Sequence, residues 1–364
     1  MRFYVDCNEI NAAVISVTKA LPTRSTMPIL DGIYFEATKE GLRLLCTDLL
    51  MQKECFVPAT VEMDGKCVVP GKLFSEVLRK MPESILEIFM SGSTLIMQGG
   101  KTKNQIQCID FDEFPTMSFT GDVQNIKVEP VAFKELINKT VFATAQDDSK
   151  PILNGINTEI EDNKITMVAT DSYQFAMNTL EIKEGLPQKN IIIHGRAATE
   201  IARMMEEAKD EATLSLTNTH VKVDLGHTAL VARLIDGRYI DYKRILPKES
   251  KTRVMINRNE LYSSIERAQL VAKEGNNNIV MKFEGDMLTI SADSYIGKVN
   301  DEIEVNVMGE DITISFNPKF CLNILRCISD ETVYFEFTNN ISPCVIRPLQ
   351  GESYYYLIVP MRIY

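Results

Sequence analysis

Apolar residues recur along the chain with helical spacing in three separate segments. The residues that carry this spacing are Val14, Val17 and Leu21; Leu136, Ile137 and Val141; and Leu261, Ile265 and Ala268. Apolar, β-branched runs at 32–36, 156–160 and 279–283 follow them and predict strands. Short polar turns at 161–164 and 284–286 predict hairpins. Helices among many antiparallel strands indicate an α+β layout.

A second helix is predicted further along each segment. Its apolar stripe is clearest in the first segment, in Leu73, Phe74, Val77, Leu78 and Met81. Each segment would therefore contain two helices within antiparallel sheet.

Short phrases show that these segments are repeats about 123 residues long. Pro-Ile-Leu-Asp-Gly at 28–32 returns as Pro-Ile-Leu-Asn-Gly at 151–155, and Thr-Asp at 47–48 returns at 170–171, each 123 residues later. Ala-Asp-Ser-Tyr at 292–295 follows Thr-Asp-Ser-Tyr at 170–173 after 122 residues, and 109–115 resembles 235–241. Their shared order predicts a three-fold internal repeat.

Basic residues lie at matching positions of the three second helices. The pairs are Lys72 and Arg79, Arg196 and Arg203, and Lys319 and Arg326. The members of a pair are seven residues apart, nearly two helical turns, so both point the same way. A buried helix also needs a solvated face, and that reading stays open. Registered pairs in a chain with 50 acidic and 39 basic residues favour a surface that meets DNA phosphates.

The whole chain of 364 residues has a net charge of -11, which alone argues against binding nucleic acid. Net charge does not report distribution, so one face can still be basic. The bases lack interleaved aromatic residues, which favours duplex over single-stranded DNA. No stretch is apolar enough for a membrane helix, and the first residues do not resemble a signal peptide, so we expect a cytoplasmic protein.

The sequence offers little for metal or redox chemistry. Eight cysteines are scattered without a Cys-x-x-Cys spacing, and there are three histidines, so we expect buried reduced thiols and no zinc site. Asp147 and Asp148 are the closest approach to a metal-binding carboxylate pair, and a loop is the simpler interpretation.

Catalytic motifs are absent as well, including nucleotide-binding glycine loops and the Gly-x-Ser-x-Gly elbow. Thr47-Asp48 and Thr170-Asp171 are interpreted as turns or caps at strand ends. His194 is expected at a helix start. We predict no active site, cofactor or metal.

The C-terminus is apolar to its last residue. Leu357 and Val359 are expected in a final core strand, which Pro360 interrupts. We expect three apolar residues to lie beyond it, namely Met361, Ile363 and Tyr364. Exposed methionine and aromatic side chains suit an adaptable protein-binding groove.

These phrases make the chain similar over its full length to bacterial DNA polymerase sliding clamps, the beta subunit of DNA polymerase III. The similarity rests on the order of Pro28-Ile29-Leu30, Thr170-Asp171, Asp236-Gly237-Arg238, the run 241–247 and Val359-Pro360-Met361-Arg362. It implies three similar DNA-clamp domains, at 1–121, 122–249 and 250–364. It also implies a head-to-tail homodimer that forms a six-domain ring around double-stranded DNA, and a non-catalytic processivity factor.

The resemblance also assigns residues to three surfaces. DNA contacts would come from Arg24, Lys72, Arg79, Gln146, Arg196, Arg203, Lys319 and Arg326. A partner-peptide cleft between the second and third domains would be lined by Leu153, Thr170, Tyr173, Phe175, Ile240, Arg244, Ile245, Phe320, Ile341, Pro343, Leu357, Val359, Pro360 and Met361, with Arg362 adjacent. The seam between the two chains would bring Ile106 of one against Leu270 and Val271 of the other.

The implied partners of the cleft are DNA polymerase subunits, the clamp-loader complex and other replication and repair proteins with clamp-binding motifs. Many relatives read His-Arg-Leu after Thr-Asp-x, whereas this chain reads Tyr173-Gln174-Phe175, which makes the cleft wall aromatic. Two other classes remain as alternatives, a repeat-built protein scaffold that does not bind DNA and a metabolic enzyme.

Overall fold

A computed structural model describes residues 1–25, 27–82, 84–110, 113–147, 149–182, 188–208, 211–247 and 249–362. Five residues that belong to the sequence patterns lie outside the described residues, namely Phe111, Asp112, Asp148, Ile363 and Tyr364. No helix within the described ranges is both long enough and apolar enough to cross a membrane.

The chain packs as two compact units. The first consists of Met1–Pro130 and Arg203–Leu234, and the second of Val131–Ala202 and Ile235–Tyr364. The helices are α1 (Cys7–Val17), α2 (Gly71–Leu78), α3 (Pro130–Val141), α4 (Gly195–Glu207), α5 (Arg258–Ala272) and α6 (Pro318–Cys327). Short 3₁₀ helices lie at Thr18–Ala20, Pro28–Asp31, Pro151–Asn154 and Tyr242–Arg244.

The first unit contains two antiparallel sheets. One sheet has the order β5 (Thr60–Met63), β1 (Arg2–Asp6), β7 (Ile85–Ser91), β8 (Thr94–Gly99) and β9 (Thr102–Gln107). The other has the order β10 (Gln124–Val128), β15 (Ala212–Leu216), β16 (His220–Asp224), β17 (Thr228–Arg233), β4 (Met51–Val57), β3 (Gly41–Thr47), β2 (Gly32–Thr38) and β6 (Gly65–Pro70).

The second unit repeats this arrangement. Its larger sheet has the order β14 (Lys189–His194), β11 (Gly155–Glu161), β12 (Lys164–Thr170), β13 (Gln174–Glu181), β26 (Tyr354–Ile358), β25 (Cys344–Pro348), β24 (Thr332–Phe337), β18 (Thr252–Asn257) and β22 (Asn306–Met308). Its smaller sheet has the order β21 (Gly297–Glu304), β20 (Met287–Ser294), β19 (Ile279–Glu284) and β23 (Ile312–Phe316).

Both larger sheets join strands of successive repeats. β4 of the first repeat pairs with β17 of the second, with Gln52 opposite Val231. β13 of the second repeat pairs with β26 of the third, with Phe175 opposite Leu357. Because this pairing fuses neighbouring repeats, the compact units do not coincide with single repeats, and the predicted domain limits stay a prediction.

The predicted helices and hairpins are present in each repeat. Val14 and Val17 are buried in α1, whose N-terminus is capped by the Asp6 carboxylate, and Leu21 lies beyond the helix end. The turn between β11 and β12 places Asp162 and Asn163 at positive φ, as a tight hairpin requires. The α+β layout is confirmed.

The second helices bury a narrower stripe than the sequence suggests. In α2, Phe74 and Leu78 are buried and Val77 is half-buried, and Met81, which follows the helix, is buried as well. Leu73 is 49% exposed, so its assignment to the apolar stripe is wrong. Its position one residue before Phe74 turns it about 100° away from that stripe.

Gly309, between β22 and β23, is predicted to resist substitution. Its φ is +130°, and a Cβ there would lie 2.2 Å from the Lys251 carbonyl oxygen, which is backbone and cannot rotate away. Gly285 has a φ of +55° and open space, so an alanine there should cost only about 1–2 kcal/mol of strain. We expect Gly309→Ala to lower the thermal unfolding midpoint several degrees more than Gly285→Ala.

Circular dichroism suits this comparison, since the chain contains no tryptophan. Equal midpoints for the two variants would contradict the close backbone approach at Gly309.

Candidate functional site

The paired bases of the second helices all lie at the surface. The exposed side chains are Lys72, Arg79, Arg196, Arg203, Lys319 and Arg326. The second member of each pair lies in or beside the last part of its helix. Arg79 is the C-terminal cap of α2 and keeps helical φ and ψ, and Arg326 is in the last turn of α6. The seven-residue spacing therefore places both bases of a pair on one side of the helix, as predicted.

Arg326 is held in place by the neighbouring helix α5. Its Nε donates to the Tyr262 hydroxyl at 2.9 Å, and its guanidinium lies 5.9 Å from the centroid of the same ring. Arg258 stacks on that ring from 5.7 Å and donates from Nε to the Leu325 carbonyl at 2.9 Å. Tyr262 and Arg258 thus support the basic surface of α6, and the sequence analysis identified neither of these two residues.

His194 lies directly before α4 and accepts a hydrogen bond from its first turn. The backbone N–H of Arg196 donates to its Nδ1 at 3.2 Å, so the predicted helix-start role is confirmed. Asn317 does the same at the start of α6, where its side chain accepts from the backbone of Lys319.

The two loop residues assigned to DNA are both exposed, each in its own unit. Arg24 precedes the 3₁₀ helix Pro28–Asp31. Gln146 follows α3 and donates from Nε2 to the Thr144 carbonyl at 3.3 Å. Beside it, hydrogen bonds from Ser149 lower the pKa of the Asp147 carboxyl, which keeps that acid charged. An ionised carboxylate next to Gln146 weakens the case for phosphate contact there.

No group of three or more His, Cys, Asp or Glu side chains is arranged to hold a metal ion within the ranges that the structure describes. The Asp147 carboxylate accepts from the backbone N–H of Ser149 at 2.8 Å, as in a local turn.

Part of the assigned cleft forms a buried apolar cluster in the second unit. Leu153, Phe175 and Leu357 belong to it. The cluster also contains residues that the assignment did not include, namely Val168, Ile192, Tyr239, Tyr242 and Val345. We call these eight residues the cleft floor.

Two tyrosines of the floor connect it to the polar network around it. The backbone N–H of Thr170 donates to the Tyr239 hydroxyl at 3.2 Å, and the Tyr242 hydroxyl donates to Glu159 Oε2 at 3.0 Å. Burial raises the pKa of Tyr242, and Glu159 reinforces that shift. Tyr242 belongs to the run 241–247 that carries the family resemblance, and Tyr239 directly follows Asp236-Gly237-Arg238, so these phrases were the signal that could have identified them.

Five residues of the predicted cleft lining are large hydrophobic residues with exposed side chains, namely Tyr173, Ile240, Ile245, Ile341 and Val359. Phe320, Pro343, Pro360 and Met361 are half-buried, and Arg362 is exposed. Arg244 is exposed and its Nε lies 2.7 Å from Asp241 Oδ2. We call the exposed and half-buried residues of this predicted lining its rim, and the binding of an apolar segment there stays a prediction.

A tight turn at 170–174 shapes one wall of this surface. Thr170 Oγ1 donates to the Gln174 carbonyl at 2.7 Å, and Asp171 Oδ1 accepts from the backbone of Tyr173 and Gln174 at 2.8 and 2.7 Å. Ser172 has a φ of +81°. The predicted turn role of Thr170-Asp171 is confirmed.

The first repeat contains the same turn. Thr47 Oγ1 donates to the Met51 carbonyl at 2.9 Å, and Asp48 Oδ1 accepts from the backbone of Leu50 and Met51 at 2.9 and 2.8 Å. Leu49 has a φ of +71°. The turn is therefore a property of the repeat and not of the cleft.

The C-terminal segment runs along that wall. The Val359 N–H donates to the Tyr173 carbonyl at 2.9 Å. Met361 then pairs with Ser315 of β23, its N–H 2.7 Å from the Ser315 carbonyl. Met361 therefore lies beyond the final strand β26, as expected, and forms an isolated antiparallel bridge to the smaller sheet after Pro360.

The residues assigned to the seam differ in exposure. Leu270 on α5 is 72% exposed, and Val271 is half-buried. Ile106 is 3% exposed in the single chain, because its side chain packs into the core beneath β9. This burial contradicts the expectation that the Ile106 side chain faces the other chain at the seam.

Comparison with known proteins places the whole chain in one group. Residues 1–118 match the N-terminal domain of the DNA polymerase III beta subunit family, residues 127–241 its central domain and residues 243–362 its C-terminal domain. The beta sliding clamp of Bacillus subtilis is 31% identical over 380 residues, with 100% of both chains covered. That of Staphylococcus aureus is 30% identical over 359 residues, with 95% of each chain covered.

Solved structures agree. The crystal structure of the DNA polymerase sliding clamp from Bacillus subtilis matches with a TM-score of 0.92 at 30% identity, and covers 100% of both chains. The DNA polymerase III beta subunit from Thermotoga maritima matches with a TM-score of 0.91 at 28% identity over the same full coverage.

The two repeated turns allow a matched test of the cleft. Asp171→Ala and Asp48→Ala each remove a carboxylate that accepts from two backbone N–H groups, and each should cost about 1–3 kcal/mol of stability. Only Asp171→Ala should weaken binding of a short apolar peptide, by roughly threefold to tenfold through lost pre-organisation. Fluorescence polarisation and thermal melts would measure both effects. Equal losses of peptide affinity in the two variants would contradict the assignment of this wall.

Proposed function

Because the chain belongs to the DNA polymerase III beta subunit family, the bacterial sliding clamps, we propose that two copies join head to tail into a closed ring around duplex DNA. The chain has the three-domain sliding-clamp fold and is a processivity factor for DNA replication without catalysis of its own. The domain limits 1–121, 122–249 and 250–364 and a cytoplasmic location belong to the proposal.

One observation carries the proposed DNA contact, the exposed basic pairs at equivalent positions of α2, α4 and α6. A surface repeated in this way suits the repeating, sequence-independent charge of the DNA backbone. Loose phosphate contacts would allow the ring to slide, while closure of the ring would prevent escape. Arg24 is a further proposed contact, and Gln146 a weaker one.

Ring closure is supported by two strands that lack the pairing made by the equivalent strands of the other repeats. The strand after the Thr-Asp turn pairs with the last strand of the next repeat, as β4 does with β17 and β13 with β26. The equivalent strands β21 and β9 lie instead at the edges of their sheets. Pairing of β21 with β9 of a second copy would continue the same rule, and the two copies together would close both seams.

The charges on the two edge strands also fit this seam. β9 carries Lys103 and follows Lys101, whereas β21 carries three acidic residues, Asp301, Glu302 and Glu304, and one basic residue, Lys298. Opposite charges on facing strands favour their pairing.

Exposed apolar residues lie beside β21 as well, namely Leu270, Tyr295 and Ile296. The Tyr295 hydroxyl donates to Glu274 at 3.2 Å, which ties the hairpin that carries Tyr295 and Ile296 to the end of α5. Leu270 and Val271 therefore remain in the proposed seam, while Ile106 would contribute through the backbone of β9.

The cleft floor and its rim are the proposed site for partners that carry clamp-binding motifs. DNA polymerase subunits, the clamp-loader complex and other replication and repair proteins would insert apolar side chains between Ile240, Ile245 and Val359. All three are exposed around a floor that is already packed, so a bound segment would bury apolar surface without unfolding the site.

Retention on circular DNA tests the ring. The protein loaded on nicked circular DNA by a clamp loader should elute with it and should be released when the circle is cut, because a closed ring slides off an end. Leu270→Asp should halve the mass of the 82 kDa dimer, twice the 41.1 kDa chain, and abolish retention. Met63→Asp changes another exposed apolar residue and serves as the control.

Retention that survives linearisation would refute topological tethering. A protein that never prefers circles over linear DNA would instead fit a scaffold that does not act on DNA.

Salt dependence tests the basic pairs. Replacing Arg79 or Arg203 by alanine should lower the slope of log affinity against log salt by about 0.9 for each phosphate no longer neutralised. Lys39→Ala in the hairpin after β2 removes an exposed base outside the second helices and should leave the slope unchanged. An unchanged slope for Arg79→Ala and Arg203→Ala would mean that these bases are only solvated.

A further inference from the structure

Two aromatic rings stack at the rim of the cleft. Tyr173, in the turn between β12 and β13, faces Phe320, in the first turn of α6, with ring centroids 6.1 Å apart and planes inclined by 20°. Tyr173 is 60% exposed, and Phe320 is half-buried. We call this pair the aromatic platform.

The platform is fixed by polar contacts below it. Gln174 Nε2 donates to Asp171 Oδ2 at 2.9 Å, and Asn323 Nδ2 of α6 donates to Gln174 Oε1 at 3.1 Å. The turn that carries Tyr173 is thereby linked to the helix that carries Phe320. A rigid aromatic surface of this kind costs little ordering when a ligand binds.

The charges near the platform favour an acidic ligand. Lys150 Nζ donates to Ser172 Oγ at 3.3 Å, next to Tyr173. Two opposing charges are already engaged. The oxygens of Asp171 accept from two backbone N–H groups and from Gln174. Asp147, which also interacts with Lys150, accepts from the backbone and hydroxyl of Ser149. An aromatic face alone attracts cations as well as aromatic rings. Lys150 disfavours an arginine or lysine there and favours a neighbouring carboxylate.

We propose that the aromatic platform selects partner segments that place an aromatic side chain against Tyr173 and Phe320 and an acidic residue beside Lys150, with aliphatic anchors over the cleft floor. This inference rests on the proposed partner cleft and adds its preference. A ring laid on the platform extends the stack. A glutamine amide at the same place would cover the rings without gaining a hydrogen bond from them.

Matched peptides test this preference. Three fluorescein-labelled peptides would share a leucine and phenylalanine anchor and one aspartate, and would differ upstream in a single position occupied by phenylalanine, glutamine or arginine. Fluorescence polarisation with the full chain should show the phenylalanine peptide binding roughly threefold to tenfold more tightly than the glutamine peptide. The arginine peptide should not exceed the glutamine peptide.

Variants assign the preference to the platform. Tyr173→Ala and Phe320→Ala should each bring the phenylalanine and glutamine peptides to nearly equal affinity. Phe320→Leu keeps apolar volume and serves if Phe320→Ala does not fold. Phe56→Ala, which removes an exposed aromatic ring from the other unit, should keep the full preference.

The outcomes separate the two proposals. Tight binding of all three peptides with equal affinity would overturn the platform's role and leave the cleft intact. Tightest binding of the arginine peptide would likewise overturn it. Failure of every peptide to bind would overturn the proposed cleft and this inference with it.

Discussion

Main-chain pairing between successive repeats is the interaction on which the rest of this structure depends. The strand that follows each Thr-Asp turn takes its partner from the next repeat, and the hydrogen bonds at the end of each pairing match. The Arg233 N–H lies 2.8 Å from the Leu50 carbonyl, and the Val359 N–H lies 2.9 Å from the Tyr173 carbonyl. Because backbone donors and acceptors must be satisfied, a chain built in this way leaves one strand at each end unpaired. Those ends are β21 and β9, the two edge strands that are proposed to pair with a second copy.

The repeated turn shows how one backbone serves different purposes. At 47–51 and 170–174, threonine and aspartate make the same hydrogen bonds, and the third residue has positive φ in both. The position that follows carries Leu50 in the first repeat and Tyr173 in the second. The backbone therefore fixes where a side chain is displayed, and the residue at that position decides what it can recognise.

Local order was predictable from the sequence because it depends on local chemistry. Helix starts, hairpin turns and the Thr-Asp turns follow from capping and from the side-chain acceptors of Thr170 and Asp171. Long-range packing was not predictable in the same way. The stack of Tyr173 on Phe320 joins residues 147 positions apart, and the bridge that Met361 makes to β23 depends on Ser315. Periodicity placed Leu73 in the buried stripe, but it identifies an apolar position and not the neighbour that covers it or leaves it bare. The family resemblance placed Ile106 at the seam, but it does not show that this side chain is buried within the single chain.

The proposed topological retention on DNA accounts for the acidic charge of the chain. A protein held on DNA by contacts alone needs many phosphate contacts, and its affinity then falls steeply with salt. A closed ring needs only enough basic surface to stay centred, so three pairs of bases can coexist with a net charge of -11. Further bases would strengthen binding but also slow sliding, because each phosphate contact must break before the ring can advance. An excess of acid elsewhere opposes adhesion of the remaining surface to DNA. Weak attraction on one face and repulsion on the others are thus what a mobile tether requires.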